Sequence, residues 1–342
     1  MKNSIFYDPT PVLSRNSLFN FILGARGIGK TYAFKKYCIE QAIKKGKQFI
    51  YLRRYKTEIA GKKIATFFND LSEEQCPYKS DLSVKNGVFY YKEEVIGMAL
   101  PLSTYISNKS VVLNKVYNIM FDEFIIDKGA YHYLPNEVET FLEFYFTIAR
   151  FDNEGKMRNV RVFFLANAMS STNPYFVYWN VRCKPGEFGI RKIKDQILVE
   201  INSNEAYTDA IKQTNAYSVI EGTAYADYAF SSTFLRDNYN LIGEKPEKMR
   251  YFFTLFYESD KALGVYWDVL TGMLYISDKA NYEYPTKFSV SLDAHQMNVL
   301  YIKKLKSTPI VSYFLKSFNL GNVAFDSLKT KELCLGVAQL FT

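Results

Sequence analysis

A chain of 342 residues that is 48% hydrophobic and 17% aromatic holds enough apolar material for two cores, which excludes a disordered chain and a single small domain. Its net charge of +8 and pI near 9.0 suit a polyanionic partner, because Lys and Arg neutralise phosphates and release counterions. Four scattered cysteines without a CxxC pair, and two histidines (His132 and His295), exclude a zinc site, a disulfide framework and a Ser-His-Asp triad; a reducing compartment fits, and no apolar stretch is long enough for a membrane partner.

Leu18 to Leu23 is an apolar run that meets Gly24, as a buried strand entering a loop does. The apolar positions between Thr31 and Lys45 recur at helical spacing, with Gly46 as the stop. Phe49 to Leu52 is a second strand, so strand, glycine loop, helix and strand form one right-handed βαβ unit. From about Ser72 to Val112 the pattern is irregular and reads as a lid insertion, with a hairpin turning at Asn86-Gly87. Val116 to Phe121 is a strand ending in Asp122-Glu123, and Pro135 opens a helix with apolar positions Val138, Phe141, Leu142, Tyr145, Phe146 and Ala149. Val160 to Ala166 is a further buried strand that ends at Asn167.

The first 200 residues therefore predict an α/β P-loop NTPase domain with a mostly parallel sheet, and 201–230 a helical linker in which Ser203 to Tyr217 is a polar helix. Residues 231–342 predict a smaller α+β domain with strands at Tyr251 to Tyr257, Leu263 to Val269 and Met273 to Ile276. Helices are expected there at Ala294 to Leu305 and Pro309 to Phe318.

Gly24-Ala25-Arg26-Gly27-Ile28-Gly29-Lys30-Thr31 matches GxxxxGK[ST] in full. The glycines let backbone N–H groups curl toward phosphate oxygens, Lys30 reaches the β- and γ-phosphates, and the Thr31 hydroxyl ligates Mg²⁺ of Mg-ATP. Asp122 would hold the metal, directly or through water, and Glu123 would polarise the attacking water as general base. Asn167 either senses the γ-phosphate or caps a strand-end turn; Arg150 either enters a neighbour's site as an arginine finger or offsets its helix dipole. The run Arg53-Arg54-Tyr55-Lys56 either contacts phosphate or a neighbouring subunit, or is a solvated charge cluster. Asn114-Lys115 precedes the metal-binding strand and does not read guanine.

These motifs resemble the DNA-packaging ATPases of small short-tailed phages with protein-primed linear genomes. The resemblance rests on Phe21 to Lys30, Phe49 to Lys56, Phe121 to Phe124, Tyr133 to Val138, Ala166 to Ala168 and Asn173 to Phe176, and more loosely on Gly264 to Val269 and Gly272 to Ile276. It implies an additional-strand, catalytic-glutamate ATPase that assembles as a ring, expected to be a pentamer, at the portal vertex of an empty phage head in the host cytoplasm. A structural packaging RNA would lie between ring and head, and ATP hydrolysis would drive double-stranded DNA inward.

By the same resemblance the finger falls near Arg150, with Arg158 competing across an insertion from Phe151 to Arg158, and Lys56 makes an inter-subunit contact at the ATP site. The loop Ile125 to Tyr133 follows Glu123, and its Lys128 is the candidate DNA grip or an ordinary exposed lysine. Residues 231–342 resemble a ribonuclease H fold that has lost cleavage, since Asp260, Asp268 and Asp278 fall at or beyond strand ends, not in the centre of the first strand. The rival readings are a small-molecule P-loop kinase and an ATP-gated nucleic-acid-binding assembly factor.

Overall fold

The computed structural model describes residues 5–104, 113–126, 133–134, 136–151, 155–167, 173–179, 181, 188–223, 226, 242–290, 292, 294–302, 308–319 and 322–339. The chain divides into two compact units, Met1–Arg236 and Asp237–Thr342. Among the described residues no helix is long and apolar enough to cross a membrane.

The first unit is built on nine strands: β1 (Phe19–Gly24), β2 (Gln48–Arg53), β3 (Leu82–Lys85), β4 (Val88–Tyr91), β5 (Glu94–Pro101), β6 (Val116–Asp122), β7 (Arg161–Asn167), β8 (Gly189–Lys194) and β9 (Ile197–Ile201). Their order is β3-β4-β5-β2-β6-β7-β1-β9-β8. The strands from β5 to β9 in that order run parallel, and β3, β4 and β8 are antiparallel additions. β7 therefore stands between the loop strand β1 and the acidic strand β6, as an additional-strand ATPase requires.

Side chains alternate across these strands, so a sheet covered on both faces needs apolar residues at nearly every position. Phe21 and Leu23 face one core with Phe121, Phe141 and Phe164; Ile22 faces the other with Phe34, Ile39, Met120 and Leu165. The helix Lys30–Lys45 covers this second face and ends at Gly46, whose φ of 64° is the left-handed stop expected from sequence. The helix Glu137–Ile148 covers the first face, with Phe141 against Phe164 at 4.9 Å. Each such ring removed from water contributes about 1.5–3 kcal/mol. Its buried stripe is Val138, Phe141, Phe144, Tyr145 and Ile148, while Phe146, expected inside, is 55% exposed. Pro135 lies outside the described residues; Asn136 caps the helix in a left-handed conformation.

Two expectations need correction here. Residues 82–101 are no lid: they form β3, β4 and β5, and β5 pairs in parallel with β2, extending the central sheet. The hairpin turn itself is where it was expected, with positive φ at both Asn86 and Gly87. The expected helix from Ser203 to Tyr217 is broken into Glu205–Lys212 and Asn215–Ser218, each capped by a side chain, Asn204 and Thr214.

The second unit holds a six-stranded sheet of β10 (Arg250–Glu258), β11 (Lys261–Trp267), β12 (Leu274–Ser277), β13 (Lys287–Ser289), β14 (Leu300–Tyr301) and β15 (Val323–Phe325), in the order β14-β13-β10-β11-β12-β15. The first three form an antiparallel meander, β13 runs parallel to β10, and β14 runs parallel to β13. The helix Pro309–Asn319 is as expected, and Leu328–Gln339 is a further one. The described part of the helix expected at 294–305 is instead turns leading into β14, because Asn298 at φ 66° breaks helical geometry.

Candidate nucleotide site

The loop after β1 curls because Gly27 and Gly29 take φ of 84° and 89°, a region closed to most side chains. A Cβ on Gly27 would also stand 2.6 Å from the Tyr207 hydroxyl, which donates to the Arg26 carbonyl at 3.0 Å. Lys30, 7% exposed, folds into the loop and donates to the carbonyls of Gly24 at 3.0 Å and Ala25 at 2.7 Å. Burial pushes its ammonium down to about 8, against the opposing pull of Asp122 and Glu200. Asn167, in register with Gly24 on the neighbouring strand, stands 3.5 Å from Lys30 Nζ.

The tip of β6 meets this loop. Thr31 Oγ1 donates to Asp122 Oδ1 at 3.2 Å, so the two metal-binding candidates from opposite ends of the motif set are in contact. Hard oxygen donors of this kind suit Mg²⁺, which takes one or two protein ligands and completes its shell with phosphate and water. Tyr51 donates to Asp122 Oδ2 at 3.1 Å, and burial pushes its phenol up. Arg53 pairs with Glu123 at 2.5 Å, with Glu58 at 2.7 Å and with Asp122 at 3.7 Å.

Glu123 itself has φ of 55°, a strained left-handed conformation for a residue with a side chain. Arg54 braces it. Its guanidinium donates to the carbonyls of Glu123 and Phe124 at 3.1 and 2.7 Å, and pairs twice with Glu137 at 2.7 and 2.8 Å. Arg54 and Glu137 side chains are 3% and 1% exposed, and Tyr175 donates to the same carboxylate at 2.9 Å. The charge run Arg53-Arg54 is thus not a solvated cluster: both guanidiniums are spent inside the site.

Lys56 lies just beyond, exposed, at the start of a single 3-10 turn. Arg150 is exposed beyond the end of the helix Glu137–Ile148, which at twelve residues spans about 18 Å. Arg158 donates to the carbonyls of Leu113, Asn114, Val116 and Ile148, which ties that helix end to the start of β6. Lys128 lies outside the described residues. Asp260, Asp268 and Asp278 do follow the ends of β10, β11 and β12.

Sequence reasoning missed the roof over the loop. Tyr7 donates from its backbone to Ile28 at 2.8 Å and from its hydroxyl to buried Glu200 at 2.5 Å, and Tyr207 closes the other side. It also missed Glu137, although its place one turn before Phe141 put a carboxylate on the apolar stripe, where only a cationic partner could hold it.

The family described as Podovirus DNA encapsidation protein (Gp16) matches residues 1–339. The chain belongs to this family. A DNA packaging protein of Bacillus phage phi29 is 34% identical over 327 residues, 96% of this chain and 95% of that protein. The bacteriophage Phi-29 viral genome packaging motor assembly contains a chain 30% identical to this one, covered 100% by 99% of it, with a TM-score of 0.76. The N-terminal domain of the DNA packaging ATPase from bacteriophage phi29 is 40% identical, with a TM-score of 0.53, and is covered in full by 60% of this chain. Membership in the encapsidation family makes DNA packaging of the phi29 type the role of this chain, and leaves the kinase and gated-assembly readings without support.

Proposed function

We propose that this chain hydrolyses ATP where its glycine loop meets the tip of β6, and that a ring of such subunits uses the energy to drive double-stranded DNA into a phage head. The contact between Thr31 Oγ1 and Asp122 Oδ1 at 3.2 Å carries this reading. Backbone N–H groups of Gly24 to Thr31 would hold the phosphates, and Lys30 would exchange its loop carbonyls for phosphate oxygens. Thr31 and Asp122 would hold a magnesium ion, whose charge offsets that developing on the phosphates. Glu123, once free of Arg53, accepts the proton of the attacking water, and Asn167 stands beside Lys30 to sense the γ-phosphate.

Arg150 is the better finger. Arg158 is occupied by four carbonyls, and a helix length separates Arg150 from the site of its own subunit, so only a neighbour's triphosphate is within its use. Lys56, exposed beside the site, suits an inter-subunit contact, and Lys128 is kept as the DNA grip. A pentameric ring with a structural RNA, working at the prohead in the host cytoplasm, completes the reading.

The second unit we read as ribonuclease H-like and without cleavage activity. Its meander followed by two strands parallel to β10 supports the fold. The centre of β10 supports the loss, since buried Thr254 there bonds Tyr251 and the Asn281 carbonyl and offers no carboxylate.

Glu123→Gln tests the motor. Hydrolysis should fall by about 10²–10⁴-fold with ATP still bound, and DNA uptake into heads should stop. Uptake at the wild-type rate would overturn the assignment.

A further inference from the structure

The nucleotide chemistry uses the carboxyl edge of the nine-stranded sheet. At the amino edge, about 17 Å away along β1, is a separate cavity of about 780 Å³ where β1, β6 and β7 begin and the helix Lys30–Lys45 ends. Among the described residues three cations line it, Lys45, Lys47 and Arg161, and no Asp or Glu does. None of the three has an ion pair among the described residues.

Arg161 is the most telling of them. Its Nε donates to the Ser17 carbonyl at 3.3 Å and its Nη1 reaches the Tyr37 hydroxyl only at 3.5 Å. Its guanidinium lies 5.1 Å from the Phe163 ring centre, and its Nη2 is buried with no hydrogen-bond partner among the described residues. Arg161 is half-buried, and a guanidinium whose inaccessible donor is unmet favours an anion that can join it. The rest of the wall carries side-chain amides, Gln41 and Asn159 among them, and the rings of Tyr37 and Tyr117. Lys47 Nζ lies 5.3 Å from the Tyr117 ring centre, which sets cation and aromatic surface side by side.

We propose that this cavity takes one unpaired nucleotide of a nucleic-acid strand, with its phosphodiester against Lys45, Lys47 and Arg161 and its base among the amides and tyrosines. The volume is that of a nucleotide-sized pocket, far larger than a lone phosphate fills. A duplex keeps its base edges stacked inside a convex surface, so only a splayed base reaches amides within a concavity. The site is independent of ATP turnover, because its residues are absent from the glycine loop and from the tip of β6.

The test uses the full chain with Lys45→Glu and Lys47→Glu together. Binding of labelled single-stranded RNA, single-stranded DNA and a duplex of equal length is followed by anisotropy across a salt series, with ATP hydrolysis without nucleic acid as the control. Single-strand affinity should drop about tenfold or more, and the slope of log affinity against log salt should become shallower by up to about 0.7, the value for one lost phosphate contact. The duplex should be affected less and basal hydrolysis not at all; the RNA and DNA arms identify the sugar. Arg161→Lys, checked for folding by thermal melting, should weaken single-strand binding with little change of slope, since the charge stays and the fork is lost. Unchanged single-strand affinity, an equal loss on the duplex, or full displacement of the strand by inorganic phosphate at low millimolar concentration would each overturn the proposal.

Discussion

Both units end strands in pairs of carboxylates, and the two pairs live in opposite surroundings. At the tip of β6, Asp122 and Glu123 are met by Arg53, Thr31 and Tyr51 beside a loop of backbone donors. In the second unit Asp278 follows β12 and Asp326 follows its parallel neighbour β15, and the backbone N–H of Asp278 donates to Asp326 at 2.8 Å. Burial would lift the Asp326 carboxyl, but the hydroxyls of Thr330 and Ser277 beside it and the Asp278 backbone N–H hold it below the usual range. Asp278, pushed up by burial and by Asp326, is the strained member. Acid at a strand tip is therefore not a site in itself; a phosphate cradle and a cation beside it make it one.

Turnover confined to the first unit, as proposed, has four measurable consequences. The largest effect is expected from Arg150→Ala, which should cut hydrolysis by about 10³–10⁵-fold. Mixed with wild-type subunits it should poison its neighbours, and activity strictly proportional to the wild-type fraction would rule out a finger acting across subunits. Next comes Arg54→Ala, which strands buried Glu137 and should cost about 3–5 kcal/mol in denaturant unfolding. Arg54→Met combined with Glu137→Leu should recover much of that loss while leaving Glu123 unbraced, so stability returns and hydrolysis does not.

A smaller effect is set by Lys30. Its pKa near 8 in the free protein must rise when phosphates surround it, so binding takes up a proton above that pH. Mg-ATP affinity should accordingly fall by up to about tenfold for each pH unit above 8, read by calorimetry in buffers of different ionisation enthalpy. Affinity independent of pH between 7 and about 9.5 would mean that Lys30 is already charged. The same group makes stability rise from about pH 8 toward its unfolded value, because the unfolded chain holds the extra proton there. The smallest effect belongs to Asp278→Asn, which should leave hydrolysis untouched and change stability by within about 0.5 kcal/mol.

What the residues revealed before any fold was known follows the range of the forces involved. The glycine loop, the helix after it and the acidic tip of β6 were legible because each is a local pattern whose chemistry names its geometry. Arg53 and Arg54 were not, because a run of charge reads as solvated unless its partners are known, and Glu137 lies 83 residues from Arg54. The strands β3 to β5 were misplaced for a similar reason. Their hairpin is local, but parallel pairing of β5 with β2 joins residues 48 apart, such as Phe49 and Gly97, and short strands such as β14 carry almost no periodicity at all.

The helix Glu137–Ile148 is clamped at both ends, by Arg54 on Glu137 and by Arg158 on the Ile148 carbonyl. It therefore works as a ruler. Adding one residue within it would turn Arg150 by about 100° and advance it by about 1.5 Å, so a chain with every side chain intact would present its arginine to the wrong quarter of the compass. The length of this segment is thus as much a part of the machine as any functional group it carries.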